Sequence, residues 1–215
     1  MPLFILDNAL RFPPQEAAEP DGLLAIGGDL SLDRLLLAYR NGIFPWYEGR
    51  NILWWCPDPR FVLIPGELKE SKSMRQLIRR NAWDFRIDSD FRQVIAQCRT
   101  ISRRGQESTW ITEEVREAYT GLHTAGYAHS AEVWQGSTLV GGLYGVRLGR
   151  VFFGESMFSR VSNASKYAFM LYVRQLKDEG VQLIDCQVYT EHLASLGARM
   201  IPRGEFLRQL DQLIS

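Results

Sequence analysis

The chain has 215 residues, is 46% hydrophobic and carries 25 Lys+Arg against 25 Asp+Glu, so its formal net charge is zero. That length suits one large domain or one domain with a small partner, and the balanced charge argues against a general nucleic-acid coat while leaving room for a local basic patch. The start, MPLFILDNALRF, lacks a basic region followed by a long apolar run, no apolar stretch approaches the roughly 18 residues of a membrane span, and Cys56, Cys98 and Cys186 form no CxxC pair, so the expectation is a cytoplasmic protein without a secretory signal, zinc site or disulfide framework.

The first sixty residues are dense in turn formers: Pro13-Pro14, Gly22, Gly27-Gly28, Gly42, Pro45, Pro57 and Pro59. Within them Ser31 reads as the N-cap of a short helix with Leu32, Leu35, Leu36 and Tyr39 on its apolar face and Gly42 as its stop. Proline disfavours helix in the residue before it, so Pro57-Asp58-Pro59 is the best boundary, giving a small N-terminal domain over 1–58 and a larger domain over 59–215.

Beyond the boundary the elements alternate. Phe61 to Ile64 reads as a strand, Ser73 to Arg80 as a short basic helix and Trp83 to Ile87 as a strand. Ser89 is expected to cap a helix with Phe91, Val94, Ile95 and Cys98 inward, and Ile101 to Ser108 is a polar loop. Thr112 caps the next helix, whose Glu113 and Glu114 suit the positive end of its dipole. Three strands follow, Ala128 to Trp134, Leu139 to Val146 and Val151 to Phe158, with Gly136 and Gly149 at the turns. A long helix runs from near Asn163 to Gly180, then come a strand over Val181 to Cys186 and a helix capped by Thr190. This order predicts an antiparallel meander joined to a right-handed crossover, hence an α/β fold with a mixed sheet. It resembles the element order of the GNAT acetyltransferase superfold, which by itself gives no function.

Certain residues ask for chemistry. Asp185 and Gln187 lie at a strand's end, where α/β sheets bind ligands, and with Cys186 between them they are expected on one face. On the residues alone, a strand-end Asp that caps a neighbouring loop is the simpler account. Glu155 stands in an otherwise apolar strand, where a carboxylate is costly unless paired with an internal Arg or functional. Trp46 and Trp110 lie in loops, whereas Trp54, Trp55, Trp83 and Trp134 read as core. Cys186 with His192 nearby invites a thiol nucleophile, rejected because Cys186 should point inward and structural thiols are inert. His123 and His129 show no partner in the sequence. Lys69, Lys72, Arg75, Arg79 and Arg80 cluster on and before the short helix, and Arg103 and Arg104 sit in the polar loop; either group is a solvated face or an RNA contact.

Eight strings carry a sharper likeness: GLLAIGGDLS (Gly22 to Ser31), GIFPW (Gly42 to Trp46), WWCPDPR (Trp54 to Arg60), TWIT (Thr109 to Thr112), AHSAEVW (Ala128 to Trp134), FGESMFSR (Phe153 to Arg160), NASK (Asn163 to Lys166) and LIDCQ (Leu183 to Gln187). Together, in this order, they resemble the bacterial leucyl/phenylalanyl-tRNA–protein transferases. That resemblance implies a small N-terminal domain packed on a GNAT-like domain, and an enzyme using neither metal nor acyl-CoA nor other cofactor. Its partners would be aminoacyl-tRNA charged with Leu or Phe as donor and proteins beginning with Arg or Lys as acceptors, which the added residue marks for degradation. It reverses the bland account of Asp185, which would polarise Gln187 to orient the attacking amine, and gives Glu155 the acceptor end. Trp46 and Trp110 would stack on the terminal adenosine, worth about 1–3 kcal/mol per base. Leu143, Phe152, Phe169, Tyr172, Leu176 and Ile184 would form the donor side-chain pocket, and Lys69, Lys72, Arg75, Arg79 and Arg80 would meet the tRNA backbone.

The reaction makes modest demands. The ester is already activated, and an α-amine of pKa about 7.7–8.0 is partly neutral near pH 7. Holding amine and carbonyl in attack geometry can supply roughly 7–11 kcal/mol, leaving one proton and an oxyanion to manage. Two rivals remain. An acyl-CoA acetyltransferase expects a glycine-rich loop before the long helix, but Arg160-Val-Ser-Asn-Ala-Ser165 contains none. A non-catalytic tRNA- or N-degron-binding module is opposed by the presence of Glu155, Asp185 and Gln187.

Overall fold

The computed structural model of the chain describes residues 4–100 and 110–214. Four short strands form the first sheet: β1 (Phe4–Leu6), β2 (Leu23–Gly27), β3 (Phe44–Pro45) and β4 (Leu53–Trp55), in the order β1-β2-β4-β3. Helix α1 (Leu32–Arg40) joins β2 to β3, and its Ser31 cap accepts the Arg34 N–H at 3.4 Å. Leu35, Leu36 and Tyr39 face the core as the spacing requires, but Leu32 is 39% exposed. Arg34 is buried instead, with its guanidinium donating to Asp29 and to the Asp7 carbonyl. Gly42 ends the helix turn at φ 69, and a Cβ there would lie 2.8 Å from both Phe206 and Leu207, so glycine is required twice over.

The second sheet has seven strands: β5 (Arg60–Leu63), β6 (Asp84–Ile87), β7 (Ala128–Gln135), β8 (Thr138–Leu148), β9 (Val151–Ser159), β10 (Leu183–Gln187) and β11 (Arg199–Ile201), ordered β11-β5-β10-β9-β8-β7-β6. The helices are α2 (Lys72–Arg79), α3 (Phe91–Thr100), α4 (Glu113–Thr124), α5 (Ala164–Asp178), α6 (Glu191–Ser195) and α7 (Arg203–Ile214). The expected meander is β7-β8-β9, and the crossover is β9-α5-β10, whose two strands pair in parallel while every other pair in this sheet is antiparallel. The chain passes from one sheet to the other between Trp55 and Arg60, across Pro57-Asp58-Pro59.

One apolar cluster joins both sheets, taking in Leu35, Trp54, Phe153 and Phe206, and a second lies on the α5 side with Phe152, Phe169 and Ile184. The alternation at the start of β9, Phe152 to one cluster and Phe153 to the other, follows from the period of two. The α3 cap is Asp90 rather than Ser89: Asp90 Oδ1 accepts the Gln93 N–H at 2.9 Å. The polar loop with Arg103 and Arg104 lies outside the described residues. Among the described residues no helix is long and apolar enough to cross a membrane.

Candidate active site

The parallel pairing of β9 with β10 ends at Phe153 and Asp185. Past that point a cavity of about 300 Å³ opens, at the carboxyl ends of two parallel strands where such sheets receive ligands. Leu143, Phe152, Phe169 and Ile184, four of the six residues expected around the donor side chain, line it together with Met157, Val188 and Leu193, which the sequence did not single out. The other two, Tyr172 and Leu176, do not line this cavity: both belong to the packed cluster behind it, and the Tyr172 ring meets that of Phe152 edge-on at 5.1 Å.

Glu155 and Gln187 form the polar end of the cavity. On β8 and β9, Tyr144 pairs with Ser156 and Gly145 with Gly154, so Glu155 is an extra residue at a bulge, a device that re-aims a side chain. A Cβ at residue 145 would lie 2.1 Å from the Phe153 carbonyl, so the bulge needs the glycine. The partly buried Glu155 carboxylate accepts from Tyr39 at 2.7 Å, Tyr119 at 3.0 Å and Gln187 Nε2 at 2.9 Å. Burial raises its pKa to about 7, aided by the Asp185 charge and opposed by the two tyrosine hydroxyls and the Gln187 amide. Burial and the Glu155 charge hold both tyrosines well above their usual pKa, so each stays a donor.

Asp185 differs from the expectation. It is fully buried, does not line the cavity, and forms a fork with Arg60, whose Nε and Nη2 donate at 2.8 and 2.6 Å. The internal ion pair considered for Glu155 is therefore made by Asp185. Asp185 and Gln187 are linked by the Gln187 backbone N–H, 2.9 Å from Asp185 Oδ1, and not through the Gln187 amide. The reason is local: Gln187 has φ 63, and the β10–β5 register shifts between the two residues, so simple strand alternation does not hold there.

Cys186 faces the cavity wall, and burial pushes its thiol pKa up, so no thiolate is stabilised. His192 also lines the cavity, with its pKa lowered by burial and the Lys166 charge. His123 and His129 do have partners: His129 Nδ1 lies 2.8 Å from Asp88 and His123 Nδ1 lies 2.8 Å from the Ala128 carbonyl, while the His123 ring stacks on Phe91. Their partners are supplied by segments far from them in the chain, or by folding of the strand end, which spacing cannot reveal.

Trp46 is 37% exposed, and its ring lies 5.9 Å from that of Trp55. Trp110 is only 5% exposed and belongs to the core cluster, so its ring offers no open face for a base. Trp54 and Trp134 are buried, and Trp55 and Trp83 half-buried, as core residues. Lys69, Lys72, Arg75, Arg79 and Arg80 are all exposed on and beside α2, and no described carboxylate pairs with any of them.

Residues the sequence missed are Tyr39, Tyr119 and Arg60. Tyr39 appeared only as an apolar face position, and Arg60 only as the end of a motif. An arginine set directly before the apolar run Phe61 to Ile64 is the signal that could have flagged Arg60.

Residues 62–211 match the family model described as leucyl/phenylalanyl-tRNA protein transferase, and residues 28–58 match the model of that family's N-terminal domain. The chain is 59% identical over 207 residues to the leucyl/phenylalanyl-tRNA–protein transferase of Syntrophus aciditrophicus, covering 96% of this chain and 87% of that one. It is 56% identical over 215 residues to the enzyme of that name from Syntrophobacter fumaroxidans, covering 100% and 92% of the two chains. The corresponding protein of Christiangramia forsetii is 53% identical over 211 residues, covering 97% of this chain and 100% of its own. With matches of this extent over both of its sheets, the chain belongs to the leucyl/phenylalanyl-tRNA protein transferase family and is an aminoacyltransferase.

Proposed function

We propose that the cavity beside Glu155 is where this aminoacyltransferase joins a leucyl or phenylalanyl group, carried by its tRNA, to the α-amine of a protein beginning with Arg or Lys. The observation that carries this reading is a carboxylate with three hydrogen-bond donors and, among the described residues, no ion pair, at the polar end of an apolar cavity. Such a group is matched to a cationic acceptor, and the cavity to an apolar donor side chain.

The donor side chain enters between Leu143, Phe152, Phe169 and Ile184, and the terminal adenosine stacks on Trp46. The acceptor amine meets Glu155 and Gln187. Its nitrogen attacks the ester carbonyl carbon and a C–N bond forms. Glu155 takes one proton from that nitrogen, the C–O bond to the ribose breaks, and the same proton passes to the departing ribose oxygen. The products are the extended protein and free tRNA, and Glu155 returns ionised. A carboxylate of pKa about 7 lies close to an amine of about 7.7–8.0, so the proton moves with little energetic penalty in either direction.

The antiparallel meander followed by one parallel pair that ends beside the site supports a GNAT-like reading of residues 59–215, with 1–58 as the small N-terminal domain. The unpaired cations around α2 are assigned to the tRNA backbone. Charged tRNA is a cytoplasmic substrate, which fits a cytoplasmic enzyme whose product marks proteins for degradation.

The experiment mixes the protein with Leu-tRNA and peptides beginning with Arg or Lys. Those peptides gain the mass of one leucyl residue, whereas N-acetylated copies gain nothing and acetyl-CoA transfers nothing. Acetyl transfer, or leucyl transfer to the blocked peptides, overturns the reading.

A further inference from the structure

We infer that Arg60 and Asp185 are positioning residues for the transfer: as a buried ion pair they hold the Gln187 backbone N–H, and with it the Gln187 amide against Glu155, while Asp185 itself takes no proton from the acceptor. This rests on the reading of Glu155 as proton acceptor and goes beyond it, because it removes the second carboxylate from the chemistry.

Both side chains are essentially inaccessible, Arg60 at 1% and Asp185 at 0% exposure, so no substrate atom reaches either in this structure. Arg60 is fixed from both sides, its guanidinium carbon 4.7 Å from the ring centres of Phe44 and Phe206. Those rings come from the first sheet and from α7, so the pair is clamped by elements other than the two strands that carry it. The fork leaves Asp185 Oδ1 within 2.9 Å of the Gln187 N–H. Gln187 is left-handed at φ 63, a conformation that persists in a non-glycine residue only when its surroundings impose it. That twist carries its amide to within 2.9 Å of Glu155. Strand geometry without the anchor would return Gln187 to alternation and take the amide away.

The charges agree with this role. Glu155 is faced by Tyr39 from α1, Tyr119 from α4, Asp185 and Gln187 from β10 and Arg60 from β5, with the Tyr144 ring of β8 against Tyr119. Among these Arg60 is the cation, and its fork is on Asp185. Asp185 is therefore occupied by Arg60 and set back from the cavity, and Glu155 is left as the carboxylate open to it.

The test compares three variants in single-turnover transfer across pH: Asp185→Asn, the double variant Arg60→Gln/Asp185→Asn, and Glu155→Gln as control. Asp185→Asn strands a buried guanidinium that draws the one remaining acceptor oxygen away from the Gln187 N–H and loosens Gln187, so the single-turnover rate at saturating substrate falls about a hundredfold with the half-saturating concentration little changed. Its acid limb, near 7 in the wild type, moves to lower pH because a charge that raises Glu155 is gone. In the double variant two neutral amides replace the pair, and the amide oxygen introduced at position 185 still accepts the Gln187 N–H. It should regain roughly tenfold over the single variant, as coupled partners do, and keep an acid limb. If Asp185→Asn does not fold, the double variant alone decides. A folded double variant that is as inactive as a proton-acceptor knockout, or that has lost the limb, overturns the proposal. A limb that survives in Glu155→Gln instead defeats the reading of Glu155, which is a separate failure.

Discussion

Glu155 is bonded to three donors, yet burial still leaves it a weaker acid than a free carboxylate, with a pKa of about 7 against the usual 4.5. The native state then holds a proton that the unfolded chain has released, so stability falls as pH rises from about 4.5 to about 7 and stays reduced above that. Glu155→Gln should therefore raise the melting temperature by a few degrees at about pH 8 and leave it unchanged near pH 4.5. Equal melting shifts at both pH values would contradict a burial cost. The two tryptophans separate in the same way. Trp46→Ala should weaken aminoacyl-adenosine binding by about 1–3 kcal/mol with little effect on melting. Trp110→Ala should instead cost about 3–5 kcal/mol of stability, as a large core deletion does. Reversed outcomes would return Trp110 to the donor site. Glu155 was legible in the sequence because a charge interrupts VFFGESMF. Its partner Tyr39 was not, because 116 residues separate them and a helix-face tyrosine that donates looks like one that only packs. The partner of Asp185 was hidden for the same reason: Arg60 is 125 residues away.

Helices with capping residues were the most readable elements. Ser31, Thr112 and Thr190 each accept the N–H three residues on, and the helices begin where those side chains say. Strands β1, β3 and β11, of two or three residues each, are too short for alternation to show, and α7 follows Pro202 without a capping signal. Among the elements, α2 carries its own prediction. Ser71 caps it, Met74 is its buried anchor, and Arg75, Arg79 and Arg80 project into solvent. If they meet tRNA phosphates, each contact releases counterions, so replacing all three with Ala should flatten the salt dependence of tRNA affinity. Binding should weaken for tRNAs of any sequence, and turnover with aminoacyl-adenosine should hardly change. Parallel salt slopes for wild type and variant would make α2 a solvated face.

At the scale of the molecule, the site is an assembly of distant parts. The first sheet's helix supplies Tyr39, α4 supplies Tyr119, a bulge in β9 turns Glu155 toward them, and the end of β10 brings Gln187. The order of helices and strands was enough to give the mixed sheet and its parallel pair, because hydrophobic period and crossover rules act within neighbouring segments. How the first sheet seats on the second was not legible, since that depends on a shared core in which Trp54, Phe153 and Phe206 meet from three parts of the chain. The central claim is that this assembly exists to take the acceptor's proton at Glu155. The most direct measurement is the single-turnover rate of leucyl transfer to an Arg-peptide from about pH 5.5 to about 8.5, for the wild type and for Glu155→Gln. The wild-type rate should rise through a limb centred near 7, and the variant should be much slower and lack that limb, keeping only the dependence set by the acceptor's own amine. A Glu155→Gln enzyme that transfers at the wild-type rate with the limb intact would contradict the account.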